Sequence, residues 1–156
     1  MDEAVFIALC EEHMAAFYRM ALSILRSPAD AEDAVQQALL NAWRARRKAR
    51  PGLEKAWVMR IVINESITLL RRRRCSLPTE DFPTLAADVS SESSDLHAAI
   101  RSLPETLRTP LLLRYMEGMT EKEVAASLHL PLSAVKNRLF RARKALQKRL
   151  NEEVSP

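Results

Sequence analysis

The sequence predicts an all-α protein of two small helical domains joined by a flexible acidic linker, and three observations carry that expectation. The 156 residues hold only two glycines against many good helix formers, and no run alternates apolar and polar residues long enough for a strand. Several long segments repeat apolar residues with the helical period. Charge is also partitioned along the chain. Residues 1–75 carry 13 basic and 9 acidic side chains, residues 76–95 carry five acidic and no basic ones, and residues 96–156 carry 11 basic and 6 acidic. The boundaries 1–75, 76–95 and 96–156 follow from those shifts.

An apolar content of 47% is enough for real cores and excludes disorder throughout. The formal charge of +4 permits a nucleic-acid partner without demanding one, so distribution decides more than the total. Cys10 and Cys75 stand alone, with no C-x-x-C and no histidine at zinc spacing, so reduced thiols are expected, with no metal and no cofactor. The acidic start MDEAVFIALCEEH is no secretory signal, and no apolar run approaches the 18 residues of a membrane span. A cytoplasmic protein without membrane insertion is expected.

In the first domain, Ser27 is placed to cap a helix that has Pro28 at its first position and Asp30 completing a capping box. Stepping 100° per residue puts Ala31, Val35, Ala38, Leu39, Ala42 and Trp43 on one side. Asp33, Gln37, Leu40, Asn41 and Arg44 fall on the other, with Gln36 at the margin. A leucine among carboxylate and carboxamides on an outer face suits a protein partner, although a solvated face with one stray leucine gives the same pattern.

The next helix, AWVMRIVINESITLLRR, is apolar except for one narrow face of Trp57, Arg60, Asn64, Thr68 and Arg71. Guanidinium groups hold phosphates, an amide reads a base edge and an indole stacks on an unpaired base. A core-edge tryptophan beside a solvated stripe is the plainer alternative. Four successive arginines cannot share a face: Arg71 continues the polar stripe, Arg72 borders it, and Arg73 and Arg74 turn toward the apolar arc. There they are expected to snorkel to solvent or to end the helix, so Arg71 and then Arg72 rank highest for binding.

Residues 76–95, SLPTEDFPTLAADVSSESSD, have two prolines, many serines and no period. They read as a tether reaching up to roughly 65 Å. It is either a solvated spacer or a segment that avoids, or imitates, the polyanion bound by the basic domains.

The second domain is read more sharply. Thr120-Glu121-Lys122-Glu123 is a capping box opening the short helix EKEVAASL, HLP makes a tight turn, and LSAVKNRLFRARKALQKRL is a longer helix. His129 stands where a left-handed residue is needed, and Pro131 prepares the next helix start. Together these predict a helix-turn-helix whose second helix enters the DNA major groove. On that helix Val135, Leu139, Ala142, Leu146 and Leu150 form the core stripe, while Ser133, Lys136, Asn137, Phe140, Arg141 and Lys144 make up the candidate reading face. Phe140 can meet a thymine methyl there.

The order SPADAEDAVQQALLNAWR, AWVMRIVINESITLLRRRR, an acidic linker and then SLPETLRTPLLLRYMEGMTEKEVAASLHLPLSAVKNRLFRARKAL resembles the extracytoplasmic-function group of bacterial sigma-70-type sigma factors. The resemblance implies a sigma-2-like and a sigma-4-like domain and no catalytic site. It assigns Asp33 and Gln36, with Gln37 and Leu40 adjacent, to docking on the β′ clamp helices of RNA polymerase core. It assigns Trp57, Arg60, Asn64 and Arg71 to the −10 promoter element, and Lys136, Asn137, Phe140 and Arg141 to the −35 element. Thr68 and Arg72 join the −10 set by their position on the same helix. Promoter DNA, the core enzyme including its β flap, and an anti-sigma factor are the implied partners. Ala34, Leu39 and Thr68 depart from the family's usual residues, and the loop KARPGLEK, expected to pocket a flipped base, lacks an aromatic. The alternative is a helix-turn-helix repressor or activator acting without polymerase, for which the chain offers no heptad seam to dimerise on.

Overall fold

The computed structural model describes residues 1–76 and 94–154, which fold entirely as helices and connecting turns. The described residues group into two units, one holding α1 (Glu3–Leu25), α2 (Pro28–Arg44) and α3 (Glu54–Ser76), the other holding α4 (Ser94–Ser102), α5 (Glu105–Tyr115) and α7 (Leu132–Val154). Between α5 and α7 in the chain lies α6 (Glu121–Leu128). The acidic linker expected over 76–95 lies outside the described residues, apart from Ser76, Ser94 and Asp95.

In the first unit each helix packs on the other two. The Asp2 carboxylate opens α1 by accepting from the Val5 N–H at 2.9 Å, and Arg26, left-handed at φ 56°, closes it by donating its N–H to the Leu22 carbonyl. Ser27 caps α2 as expected, its hydroxyl accepting from the Asp30 N–H at 3.4 Å, with Pro28 following. The buried face of α2 consists of Ala31, Ala34, Val35, Ala38 and Ala42. Small side chains let its backbone approach α1 and α3 closely, so the volume of this core comes from Phe17 and Met20 of α1 and from Val58, Met59 and Val62 of α3. Ser66 is fully buried among the apolar residues of α3, and its hydroxyl is satisfied by donating to the Val62 carbonyl at 2.7 Å.

The core of the second unit gathers Leu103, Leu107, Leu111 and Ala142, with Ile100, Ala145 and Leu146 packed against it. Arg108 donates to the carbonyls of Arg101 and Leu103, which have no helical partner at the end of α4. Gly118, at φ 66°, turns the chain toward α6.

The capping box forms as predicted, with the Glu123 N–H donating to the Thr120 hydroxyl and the Thr120 N–H donating to the Glu123 carboxylate, both at 3.1 Å. Thr120→Ala is expected to cost about 1 kcal/mol. Faster amide exchange at Glu121–Val124, with unchanged protection in the middle of α7, checks it; equal protection of α6 in both proteins refutes it. His129 is left-handed at φ 56°, and the Leu130 N–H donates back to the Ala125 carbonyl at 3.0 Å. Pro131 supplies the carbonyl that accepts from the Ala134 and Val135 N–H groups, and α7 starts.

Candidate nucleic-acid interface

The second helix of the helix-turn-helix separates two faces cleanly. Val135, Leu139 and Ala142 are fully buried, Leu146 and Leu150 half-buried. Ser133, Lys136, Asn137, Phe140, Arg141 and Lys144 are all exposed, which brings the whole predicted −35 set onto one side of α7. Phe140 is 56% exposed, and the Lys144 ammonium lies 5.4 Å from the centre of its ring. An aromatic plate edged by cations can meet a thymine methyl while its neighbours hold phosphates. Arg143 leaves this face and donates to the Tyr115 hydroxyl, a link from α7 back to the end of α5.

On α3, Asn64, Thr68, Arg71 and Arg72 are exposed, whereas Trp57 and Arg60 are half-buried. The first turn of α3 is anchored by the Trp57 N–H on the Leu53 carbonyl at 2.9 Å. Just before it, Gly52, left-handed at φ 84°, donates its N–H to the Glu54 carboxylate. The polar stripe therefore runs along the helix from Trp57 to Arg72, with the indole partly covered at one end and arginines in solvent at the other.

The arginine run behaves differently from the sequence expectation. The helix neither stops at Arg72 nor sends both following side chains to solvent: α3 continues to Ser76. Arg74 is exposed, but Arg73 is half-buried and forms an ion pair with Asp30 in the first turn of α2. The Asp30 side chain is 15% exposed and that of Arg73 34%. Arg73 turns to the apolar arc as the helical projection requires, and there it meets a carboxylate instead of having to snorkel.

On α2, Asp33, Gln36, Gln37 and Leu40 are all exposed, Leu40 by 44%. Gln36, expected at the margin, is as exposed as its neighbours on this face. Gln37 donates to the Asn41 side chain at 3.0 Å, and Asn41 donates to the Glu65 carboxylate of α3 at 3.4 Å. Glu65 follows Asn64 by one residue, about 100° further around the helix, and was not among the predicted residues; an acid on an apolar helix is the signal that could have found it. Two further features escaped the helical projections. Trp43 sits edge-on to Phe6 with ring centres 5.4 Å apart, and the Arg46 guanidinium covers it at 3.9 Å.

Cys10 is half-buried, and desolvation pushes its thiol above the ordinary value, which keeps it protonated and a poor nucleophile. Among the described residues no three potential metal ligands gather, and no helix is long and apolar enough to cross a membrane.

Comparison with known proteins gives a consistent picture. Residues 9–75 match the model of sigma-70 region 2, and residues 93–146 match that of sigma-70 region 4. The ECF RNA polymerase sigma factor SigE of Mycolicibacterium smegmatis is 30% identical over 159 residues, an alignment that takes in 94% of this chain and 62% of that protein. The chain thus spans less than two thirds of that relative's length. The RNA polymerase sigma factor SigV of Bacillus subtilis is 28% identical, with 97% of this chain and 94% of the relative covered. Among solved structures, the sigma factor RpoE in complex with the anti-sigma factor NepR from Bartonella quintana superposes with a TM-score of 0.73 at 26% identity, covering 94% of this chain and 96% of that one. CnrH in complex with the cytosolic domain of CnrY gives 0.71 at 27% identity, covering 97% and 90%.

Proposed function

The chain belongs to the extracytoplasmic-function group of sigma-70-type RNA polymerase sigma factors, and on that footing we propose that it directs core polymerase to specific promoters in the cytoplasm. The observation that carries this reading is the presence in one chain of a region 2 match and a region 4 match, each with an exposed polar face. A helix-turn-helix repressor needs only the second.

The chemistry divides between the two units. Residues 1–75 act as the sigma-2-like domain and residues 96–156 as the sigma-4-like domain, with 76–95 between them. Lys136, Asn137, Phe140 and Arg141, flanked by Ser133 and Lys144, read the −35 duplex through base edges and a thymine methyl, and the cations add a sequence-independent, salt-dependent attraction. Asp33, Gln36, Gln37 and Leu40 dock on the β′ clamp helices, which delivers α3 to the −10 region. Trp57, Arg60, Asn64 and Thr68 then hold bases that have left the stack, and Arg71 and Arg72 hold the backbone. Unstacking costs a few kcal/mol, offset by these contacts and by those of the polymerase. The chain positions and captures, and supplies no catalytic group of its own. An anti-sigma factor that covers these same faces is the expected regulatory partner, in line with the complex that the similar sigma factor RpoE forms with the anti-sigma factor NepR.

Run-off transcription tests the reading. Purified chain added to bacterial core polymerase and a promoter library is expected to give transcripts that start at a subset of promoters and are absent with core alone. If neither promoter-dependent transcripts nor a core complex forms, the chain is not acting as a sigma factor.

A further inference from the structure

We propose that Glu65 of α3 is a positioning residue for the docking face of α2: acting through Asn41, it orients the Gln37 side-chain amide so that this face presents a hydrogen-bond acceptor to the polymerase. The inference rests on the reading above and deepens it, since a residue outside the candidate docking set decides which end of Gln37 the partner meets.

The three side chains run in series from between the helices to the surface. Glu65 is half-buried on α3, Asn41 is half-buried on α2, and Gln37, one turn before Asn41, is exposed. The Glu65 carboxylate accepts from the Asn41 Nδ2 at 3.4 Å, and the Asn41 Oδ1 accepts from the Gln37 Nε2 at 3.0 Å. Local explanations for a carboxylate at this place fail. The positions three and four residues away on α3 hold Ile61, Val62, Thr68 and Leu69, so Glu65 has no helical ion pair to make. An acid next to Asn64 also works against any phosphate held by α3, so DNA binding gives it no use.

What a carboxylate can do here is fix polarity. The carbonyl and amino ends of a carboxamide have nearly the same shape, so two amides in contact can pair in either sense. An ionised carboxylate only accepts, which removes that freedom. Asn41 must turn its amino end to Glu65, its carbonyl is left for Gln37, and Gln37 must meet that carbonyl with its own amino end. The Gln37 carbonyl oxygen then faces away from Asn41, on the side of Asp33, which stands one turn earlier on the same exposed face. Asp33 and Gln37 together offer acceptors one helical turn apart, an arrangement suited to a cationic donor on the partner surface.

The test has one arm without polymerase and one with it, both on the full chain. In the first, proton exchange of the side-chain amides is followed by NMR. Glu65→Lys puts a donor where there was an acceptor, so both amides are expected to reverse: Gln37 loses the protection it has in the wild type, while Asn41 keeps its own. Glu65→Gln keeps the shape and leaves the sense undecided, and is expected to lower Gln37 protection about twofold. Unchanged Gln37 protection in Glu65→Lys, or in Glu65→Gln should the first variant not fold, overturns the relay. In the second arm, affinity for core polymerase is expected to fall about tenfold in Glu65→Lys, the worth of one hydrogen bond to a charged group. Asn41→Leu frees Gln37 to turn and is expected to cost about threefold, as for a competent orientation populated about a third of the time. Adding Glu65→Lys to Asn41→Leu should then cost nothing more. A further tenfold loss in that background would mean that the charge on α3 acts through space, and it overturns the proposal. A wild-type chain that binds no core overturns the sigma reading instead, and the amide exchange still decides whether Glu65 sets the Gln37 amide.

Discussion

Phe140→Ala is expected to leave the second unit folded and to reduce transcription from −35-dependent promoters about tenfold, whereas Leu139→Ala, one residue earlier, is expected to unfold it. The two neighbours differ in what surrounds them. Leu139 is fully buried, and cutting it to a methyl group in a closely packed core costs about 2–5 kcal/mol, a large part of the stability of so small a unit. Phe140 is more than half exposed, with the Lys144 ammonium 5.4 Å from its ring centre, so its removal opens no closed cavity. A lost base contact is worth about 1–3 kcal/mol, and tenfold corresponds to about 1.4. Amide exchange across α5 and α7 separates the two outcomes. Run-off transcription on a promoter with an intact −35 element, and on one with that element scrambled, then isolates the contact: the Phe140→Ala loss should vanish on the scrambled template. Equal loss on both templates would remove Phe140 from base reading and leave it a general role in binding.

Much of this was legible in the sequence because it is local. The Thr120 capping box, the left-handed His129 and the Ser27-Pro28 start depend on residues within four positions of one another, and the physics that selects them needs no tertiary structure. The faces of α2 and α7 were legible for the same reason, through period alone, though Ala34, about 60° to the side of Ala31 at the edge of the apolar arc, was left off the buried side. What stayed hidden is tertiary. That Arg73 turns toward the apolar arc follows from the helical projection, but that a carboxylate waits there depends on how α2 lies against α3, 43 residues away in the chain. Helices α4 and α5 were also not delineated, since Pro104 and Pro110 interrupt the pattern; Pro110 is nonetheless buried inside α5.

Breaking the Asp30–Arg73 pair is expected to destabilise the first unit by about 1–2 kcal/mol for either single alanine variant, below the 3–5 typical of fully buried pairs because the Arg73 side chain is about a third exposed. The double variant should lose less than the sum, by about 1 kcal/mol, since the second substitution removes a group already left without its partner. The measurement is unusually clean. Both tryptophans of the chain, Trp43 and Trp57, belong to the first unit, so urea unfolding followed by tryptophan fluorescence reports this unit alone. The functional consequence follows from position. Arg73 lies two residues beyond Arg71 and one beyond Arg72, so the pair ties the arginine end of α3 to the first turn of the helix that presents Asp33 and Gln36. Arg73→Ala should therefore lower transcription by loosening that end, and high salt should not reproduce the effect, because a partly buried pair is screened much less than an exposed one. Arg71→Ala is expected to do the reverse: unchanged unfolding midpoint, weaker promoter binding and a shallower salt slope. Additive single and double variants at Asp30 and Arg73 would mean that the two charges merely lie close together, and the order of importance along the arginine run would return to the one that exposure alone dictates.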